Sequence, residues 1–250
     1  FWENIAANLQ MFGEKIAAVK EQTEIIFLPE MFSTGFSMNA KKLAETMDGS
    51  AVQWMKKMAQ QHKVILCGSL IIKENEQYYN RLIWMLPNGT CGQYDKRHLF
   101  AYSKEHQHYT AGNKRLIASV KGWKICLNIC YDLRFPVWSR QATGEDQEHI
   151  AEYDLLVYVA NWPEQRSLAW NTLLLARAIE NQCYVAGVNR VGEDGNNIIH
   201  HGDSSVIDPM GKIIYRKNKD EDIFTCTVSR KHLDEARNRF PFLYDADKFM

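Results

Sequence analysis

The chain has no excess of charge of either sign: 30 lysines and arginines stand against 30 acidic residues in 250 positions. That balance removes the electrostatic basis for holding nucleic acid or an anionic membrane surface. No apolar run is long enough to cross a bilayer. Cysteine is sparse and scattered, at positions 67, 91, 126, 130, 183 and 226, mostly inside apolar runs. With no Cys-x-x-Cys pair, neither a disulfide framework nor a zinc site of familiar spacing is indicated, and a reduced, cytoplasmic globular protein is expected. Gly-x-Gly-x-x-Gly and P-loop patterns are missing, so nothing points to a nucleotide, and no Gly-x-Ser-x-Gly supports a serine nucleophile. His98, His106 and His108 are near one another in sequence, but no acidic or cysteine partner completes a recognised ligand spacing. Neither a metal nor a cofactor is expected. No signal-peptide pattern opens the chain, and a start at Phe1-Trp2-Glu3 is read as one that has lost its natural beginning.

What is present is an alternation of helix and strand patterns. Ile5, Leu9, Phe12, Ile16 and Val19 recur at helical spacing, and Glu24 to Leu28 then reads as a short strand closed by Pro29-Glu30. A second helix is predicted over Ala51–Gln61 and a buried strand over Val64–Ile72. Tyr78–Leu86 and Cys91–Tyr94 flank Pro87-Asn88-Gly89 as a hairpin. Ala101 to Asn113 has no clean period and reads as a long loop, a class often tied to function. Further strands are predicted at Ile125–Ile129, Tyr153–Ala160 and Cys183–Asn189, with a helix over Ser167–Gln182. Ser204–Ile207 and Lys212–Tyr215 form a second hairpin around Asp208-Pro209-Met210-Gly211, Ile223–Val228 a last strand, and the tail beyond Arg230 is charged and aromatic. Helix-separated strands mixed with hairpins imply an α/β fold with mixed sheets, either one large sheet or two covered by helices. With no repeat, linker or low-complexity stretch, residues 1–250 are expected to form one domain.

Chemistry concentrates at three strand ends. Cys130 follows an apolar strand and precedes Pro136 at a plausible first helical turn, where open α/β sheets place their ligands. Taken alone, it reads first as a buried structural cysteine, since free cysteine is among the most buried residue types. Glu30 follows another strand and a proline, Lys96 follows the first hairpin, and Glu105 lies in the long loop. A thiol nucleophile requires a base, since the thiolate is the reactive form, and donors for the oxyanion it creates. A carboxylate, an ammonium and a thiol together can supply these. Each also has an ordinary reading: Glu30 as a cap, Lys96 as a solvated charge, Glu105 as a loop acid.

Three segments together resemble the carbon–nitrogen hydrolase (nitrilase) superfamily. They are Leu28-Pro29-Glu30, Tyr94-Asp95-Lys96-Arg97-His98-Leu99-Phe100, and Asn128-Ile129-Cys130-Tyr131-Asp132-Leu133-Arg134-Phe135-Pro136. Glu105 matches that family's additional glutamate, and Gly202-Asp203-Ser204 with Asp208-Pro209-Met210-Gly211 matches downstream. The runs Cys130–Arg140 and Glu105-His106-Gln107-His108-Tyr109 resemble the ω-amidase branch. The resemblance implies a four-layer αββα sandwich that dimerises or forms a higher homo-oligomer. It implies Glu30 as general base, Cys130 as nucleophile through a thioester, Lys96 with the Tyr131 N–H as oxyanion donors, and Glu105 in support. The substrate it implies is a small dicarboxylate monoamide such as 2-oxoglutaramate, 2-oxosuccinamate or succinamate, with water as co-substrate and no cofactor. The family's first strand precedes its first helix, whereas this chain opens on that helix.

For such a substrate, Arg134 and Arg166 are candidates for its carboxylate. Phe36, Tyr102, Phe135 and Trp162 are candidate walls of a pocket expected to be small, because bulky aromatics follow most of the motif segments. Another thiol amidohydrolase (aliphatic amidase, carbamoylase or nitrilase) and a non-catalytic binding protein on the same fold are the competing readings.

Overall fold

The computed structural model describes residues 1–141 and 151–246. Helix α1 (Ile5–Ala17) opens on Asn4, whose side chain accepts the Ala7 N–H, and leads to strand β1 (Ile25–Phe27). A short helix α2 (Ala40–Leu43) and the longer α3 (Ser50–His62) follow. Strands β2 (Ile65–Glu74), β3 (Gln77–Met85) and β4 (Cys91–Asp95) complete a first sheet, in the order β1-β2-β3-β4. Only its β1–β2 pair is parallel.

The second sheet takes β5 (Leu116–Val120), β6 (Trp123–Ile129), β7 (Leu155–Ala160), β8 (Tyr184–Asn189), β9 (Val191–Glu193), β10 (Ile199–Ile207) and β11 (Ile213–Asn218). Its order is β11-β10-β8-β7-β6-β5, with β9 paired to β10, and β6, β7 and β8 run parallel. Helix α4 (Pro136–Ser139) follows the turn after β6, α5 (Ser167–Asn181) joins β7 to β8, and α6 (Arg230–Arg239) is followed by a 3-10 turn over Phe242–Asp245.

Two sheets rather than one large sheet is the outcome. Ile65, Cys67, Leu82, Trp84 and Tyr94 of the first share a core with Ile125, Leu127, Leu155, Val157 and Ile207 of the second. On the outside of the first sheet, Leu9 and Ile16 of α1 and Val52, Met55 and Ala59 of α3 pack on Leu66, Leu70, Ile72, Ile83 and Met85. The period-2 alternation of β2 and β3 produces that division, because successive side chains point to opposite faces. Outside the second sheet, Trp170, Leu174 and Ala178 of α5 are fully buried. The fit is close at Gly187, where an added Cβ would sit 2.5 Å from Leu174 and 2.8 Å from Trp170. The architecture is the four-layer αββα sandwich.

Several elements depart from the sequence reading. Ile223–Val228 forms no strand: it runs largely exposed, pairs with no strand among the described residues, and stacks Phe224 on Tyr215 at 3.9 Å. Conversely β2 and β3 form a hairpin whose two turn residues, Asn75 and Glu76, both have positive φ. Strand β5 is likewise joined to β6 by Lys121-Gly122, again both positive. The tail contains α6, capped by Ser229 accepting the His232 N–H, with only Leu233 and Ala236 buried.

Asp154 ties that last helix to the second sheet. Its carboxylate accepts from Lys124 N–H at 2.9 Å, Arg230 Nη2 at 2.8 Å and Arg237 Nη1 at 3.0 Å. Burial works against its ionised form, but the Arg230, Lys124 and Arg237 donors outweigh this and hold it below the usual aspartate range. A depressed carboxylate contributes stability above its unfolded-state pKa and loses it as pH falls through the folded one. Asp154→Asn is therefore expected to cost about 3 kcal/mol near pH 7. Urea titrations should show the gap between variant and parent closing as pH drops below the normal aspartate range.

Candidate active site

The three parallel strands of the second sheet and β1 of the first all end at one place. Beyond β6 the chain turns sharply: Cys130 adopts φ +44° and begins a 3-10 turn over Cys130–Arg134. A non-glycine residue held there carries strain on the order of 1–3 kcal/mol, so its surroundings must hold it. Asp132 does so. Its fully buried carboxylate accepts the Ile129 N–H at 3.0 Å, the His98 N–H at 2.9 Å and the Tyr94 hydroxyl at 2.7 Å, and lies 2.8 Å from His98 Nδ1. Tyr94 in turn accepts from Trp138 Nε1 and the Arg97 N–H. The turn that presents the thiol is thus bound to the segment that presents Lys96.

Glu30 reaches the same point from β1. The Met31 N–H donates to Ser69 Oγ and the Phe32 N–H to the Ser69 carbonyl, which locks the loop to β2. Glu30 Oε1 accepts from Lys96 Nζ at 2.8 Å and from Asn80 Nδ2 at 2.8 Å, and Oε2 accepts the Asn161 N–H at 2.8 Å. Lys96 Nζ also donates to both oxygens of Glu105 at 3.0 Å, and the Phe100 N–H donates to Glu105 Oε2. Glu30, Lys96 and Glu105 are each at most 1 % exposed, so no solvent moderates these charges.

Two carboxylates therefore share one ammonium. Burial disfavours the Lys96 charge, but Glu105 and Glu30 outweigh it and raise its pKa, so it stays protonated. Burial raises the Glu105 carboxyl, and Lys96 only partly offsets this. The Cys130 thiol is pushed well up by burial and by the Glu30 charge, against the pull of Lys96. At neutral pH it is a thiol. Among the smaller influences on it, Glu30 raises its pKa further and the Asn161 N–H lowers it. A buried acceptor, a protonated nucleophile and a fixed cation are the parts needed for acyl transfer with general-base assistance.

A family model for carbon-nitrogen hydrolases matches residues 1–238. An ω-amidase of Escherichia coli K12, YafV, is 45 % identical over 99 % of this chain and 93 % of its own length. A 2-oxoglutaramate amidase of Bacillus subtilis is 34 % identical over 91 % of this chain and 86 % of its own. Among solved structures, a CN-hydrolase superfamily protein of Xanthomonas campestris, with an arsenic adduct in its active site, superposes with a TM-score of 0.97 at 42 % identity. It covers all of this chain and 94 % of that one. The chain belongs to the carbon–nitrogen hydrolase family. It is a hydrolase of non-peptide carbon–nitrogen bonds in amides.

In this carbon–nitrogen hydrolase a cavity of about 640 Å³ opens beside the thiol. Its wall includes Lys96, Cys130, Tyr131, Phe36, Tyr102, Arg134, Trp162 and Arg166. Phe36 packs its ring 5.0 Å from Lys96 Nζ. Trp162 is set by Asn189, whose side chain accepts the Trp162 N–H and donates to its carbonyl. As second residue of the 3-10 turn, Tyr131 has an N–H with no acceptor inside the turn.

Phe135 is not among the residues that line this cavity; it lies flat on the His98 ring at 3.8 Å and edge-on to Tyr131 at 5.1 Å. The cavity is also wider than the small pocket expected, because the Asp194, Asn196, Ile198 and His200 side contributes to it. His200 is buried and its pKa is lowered by that burial and by Arg190 to about 4, so it is neutral there. No sequence signal marked this hairpin.

Asp132→Ala would leave the Ile129 and His98 amides and the Tyr94 hydroxyl without their acceptor. At roughly 1–3 kcal/mol for each buried unsatisfied group, a loss of about 3–5 kcal/mol is expected, read as a lower urea midpoint at unchanged slope.

Proposed function

We propose that this amidohydrolase cleaves the terminal amide of a small dicarboxylate monoamide, of the kind represented by 2-oxoglutaramate, 2-oxosuccinamate or succinamate. The observation that carries the proposal is a pair of half-buried guanidinium groups on the same cavity as the thiol. Arg134 lies 5.0 Å over the Trp162 ring and Arg166 5.2 Å over the Phe100 ring. Neither has a carboxylate within ion-pair distance among the described residues. Guanidinium groups stacked on aromatic rings and lacking acidic partners suit a planar anion from outside. The names of the ω-amidase and 2-oxoglutaramate amidase relatives support the same choice.

The reaction we infer is acyl transfer to water through a thioester. Glu30 accepts the Cys130 proton as sulfur adds to the amide carbon, and the oxyanion is met by Lys96 Nζ and the Tyr131 N–H. The tetrahedral adduct collapses with the proton passed from Glu30 to nitrogen, so that ammonia departs and an acyl-Cys130 thioester remains. Water, deprotonated by Glu30, adds to the thioester, and the second collapse returns that proton to sulfur and releases the carboxylic acid, which ionises by giving its remaining proton to the ammonia or to solvent. Glu105 keeps Lys96 oriented and charged throughout. A raised thiol pKa fits this scheme, since the base acts at the moment of attack rather than on a standing thiolate. Arsenic is thiophilic, so the adduct in the active site of the 42 % identical relative is consistent with a reactive thiol at this position.

Comparing succinamate with butyramide, which lacks the carboxylate, tests the substrate class. The wild type is expected to favour succinamate. Arg134→Met or Arg166→Met should weaken succinamate use by roughly 10- to 100-fold, the worth of a charge-assisted hydrogen bond, and leave butyramide unchanged. Preference for butyramide, an N-carbamoyl amino acid or a simple nitrile would remove the dicarboxylate assignment. Glu30→Gln should lower kcat by about 10²–10⁴ with either amide.

A further inference from the structure

Asn80 belongs to this site without lining the cavity. It lies in β3 opposite Ile71 of β2, is completely buried, and follows the inward-facing parity of Leu82 and Trp84. Its Nδ2 stands 2.8 Å from Glu30 Oε1 and 3.4 Å from Glu105 Oε1, while its main-chain carbonyl accepts the Lys96 N–H at 3.0 Å. One residue thus bridges the two carboxylates and holds the main chain of the lysine between them. Its Oδ1 has no hydrogen-bond partner among the described residues. The amide orientation is nevertheless settled, because turning it over would set an oxygen against two carboxylates. A buried polar atom left without a partner is normally selected against, so what the other end of the amide does has to outweigh it.

We infer that Asn80 is a positioning residue: its neutral amide bridges Glu30 and Glu105 and keeps both in place while Lys96 turns a proton toward the reacting oxygen. The inference rests on the proposed use of Glu30 and Lys96. In the resting site the three Lys96 protons are committed to Glu30 Oε1 and to the two oxygens of Glu105. To donate to an oxyanion, Lys96 must leave one of them. Asn80 has two N–H bonds facing those same Oε1 atoms and can hold what the ammonium releases. A second cation would do this too, but it would also suppress the basicity of Glu30. A neutral donor satisfies the oxygens without adding charge, which a buried general base requires.

The test uses two variants close to asparagine in shape. Asn80→Leu fills the space without a donor, and Asn80→Asp fills it with a further acid. Succinamate hydrolysis and alkylation of Cys130 by iodoacetamide are followed across pH, the second readout being independent of which amide is natural. Removing a donor from a carboxylate raises its pKa, so the acidic limb of both profiles should move to higher pH in Asn80→Leu. The value of kcat should fall roughly 10- to 100-fold with KM changed less than about threefold. Asn80→Asp should fall further and shift further. A residue that only fills space would be replaced by leucine with the wild-type pH limb intact, and that result overturns the inference. Should Asn80→Leu fail to fold by circular dichroism, Asn80→Asp carries the test, and wild-type kcat at pH 7 in that variant is equally fatal. Cys130→Ala separates the two levels. If it retains turnover, the reading of the site fails; if it is inactive while Asn80→Leu is normal, only the role of Asn80 fails.

Discussion

Everything in the site depends on one ammonium held between two carboxylates in the absence of water. Lys96 is within 3.0 Å of oxygens from both Glu30 and Glu105, and all three are buried. Withdrawing such charges from water is costly, and the arrangement survives only because every partner is supplied by protein. The donors are the Asn80 amide and the Asn161 and Phe100 N–H groups. The neighbouring thiol shares that burial and lies in the field of Glu30, and the two raise its pKa against the pull of Lys96. A site of this kind rests as a neutral thiol beside a base, rather than as the preformed thiolate of a thiolate–imidazolium pair.

The fold serves to bring these groups together and to hold the strained turns that carry them. Cys130 and Met31 both have positive φ, each immediately beyond a strand end or the Glu30 that follows one. Each is fastened to a neighbouring element, the first through Asp132 and the second through Ser69. Cys130 and Asn161 directly follow β6 and β7 and Asn189 ends β8, so the parallel pairing of this trio brings the thiol, the amide beside it and the clamp on Trp162 to one end of the sheet. Placing chemistry at the carboxyl ends of parallel strands is the general habit of α/β sheets. Here a second sheet supplies the acid and the cation from the opposite side.

Much of this was legible because strong periodicity and motif order agree. The buried runs at 65–72, 125–129, 155–160 and 184–189 are all strands, and Glu30, Lys96 and Cys130 converge as their motif neighbours imply. What escaped had weak local signals. The Asn75-Glu76 turn lacks the Asn-Gly chemistry that marks a two-residue hairpin. Lys121-Gly122 fits better, but the strand before it is only five residues long, and two of those are Ala118 and Ser119. Helix α6 buries just two apolar side chains, too thin a stripe for a helical period to show. Asn80 could have been suspected, since it and Arg81 interrupt an otherwise apolar inner strand, and buried polar groups require a reason. The stacking of Phe135 on His98 likewise had no signal in the sequence, because it joins two motif segments 37 residues apart.

The most direct test of this account is rapid acid quenching of the enzyme with succinamate, followed by mass spectrometry of the Cys130 peptide. A thioester route predicts a succinyl adduct on Cys130 that appears within one turnover, decays as substrate is exhausted, and is missing in Cys130→Ala. Steady turnover in the Cys130→Ala variant, or a wild-type enzyme whose acyl group is found on another side chain, would contradict it.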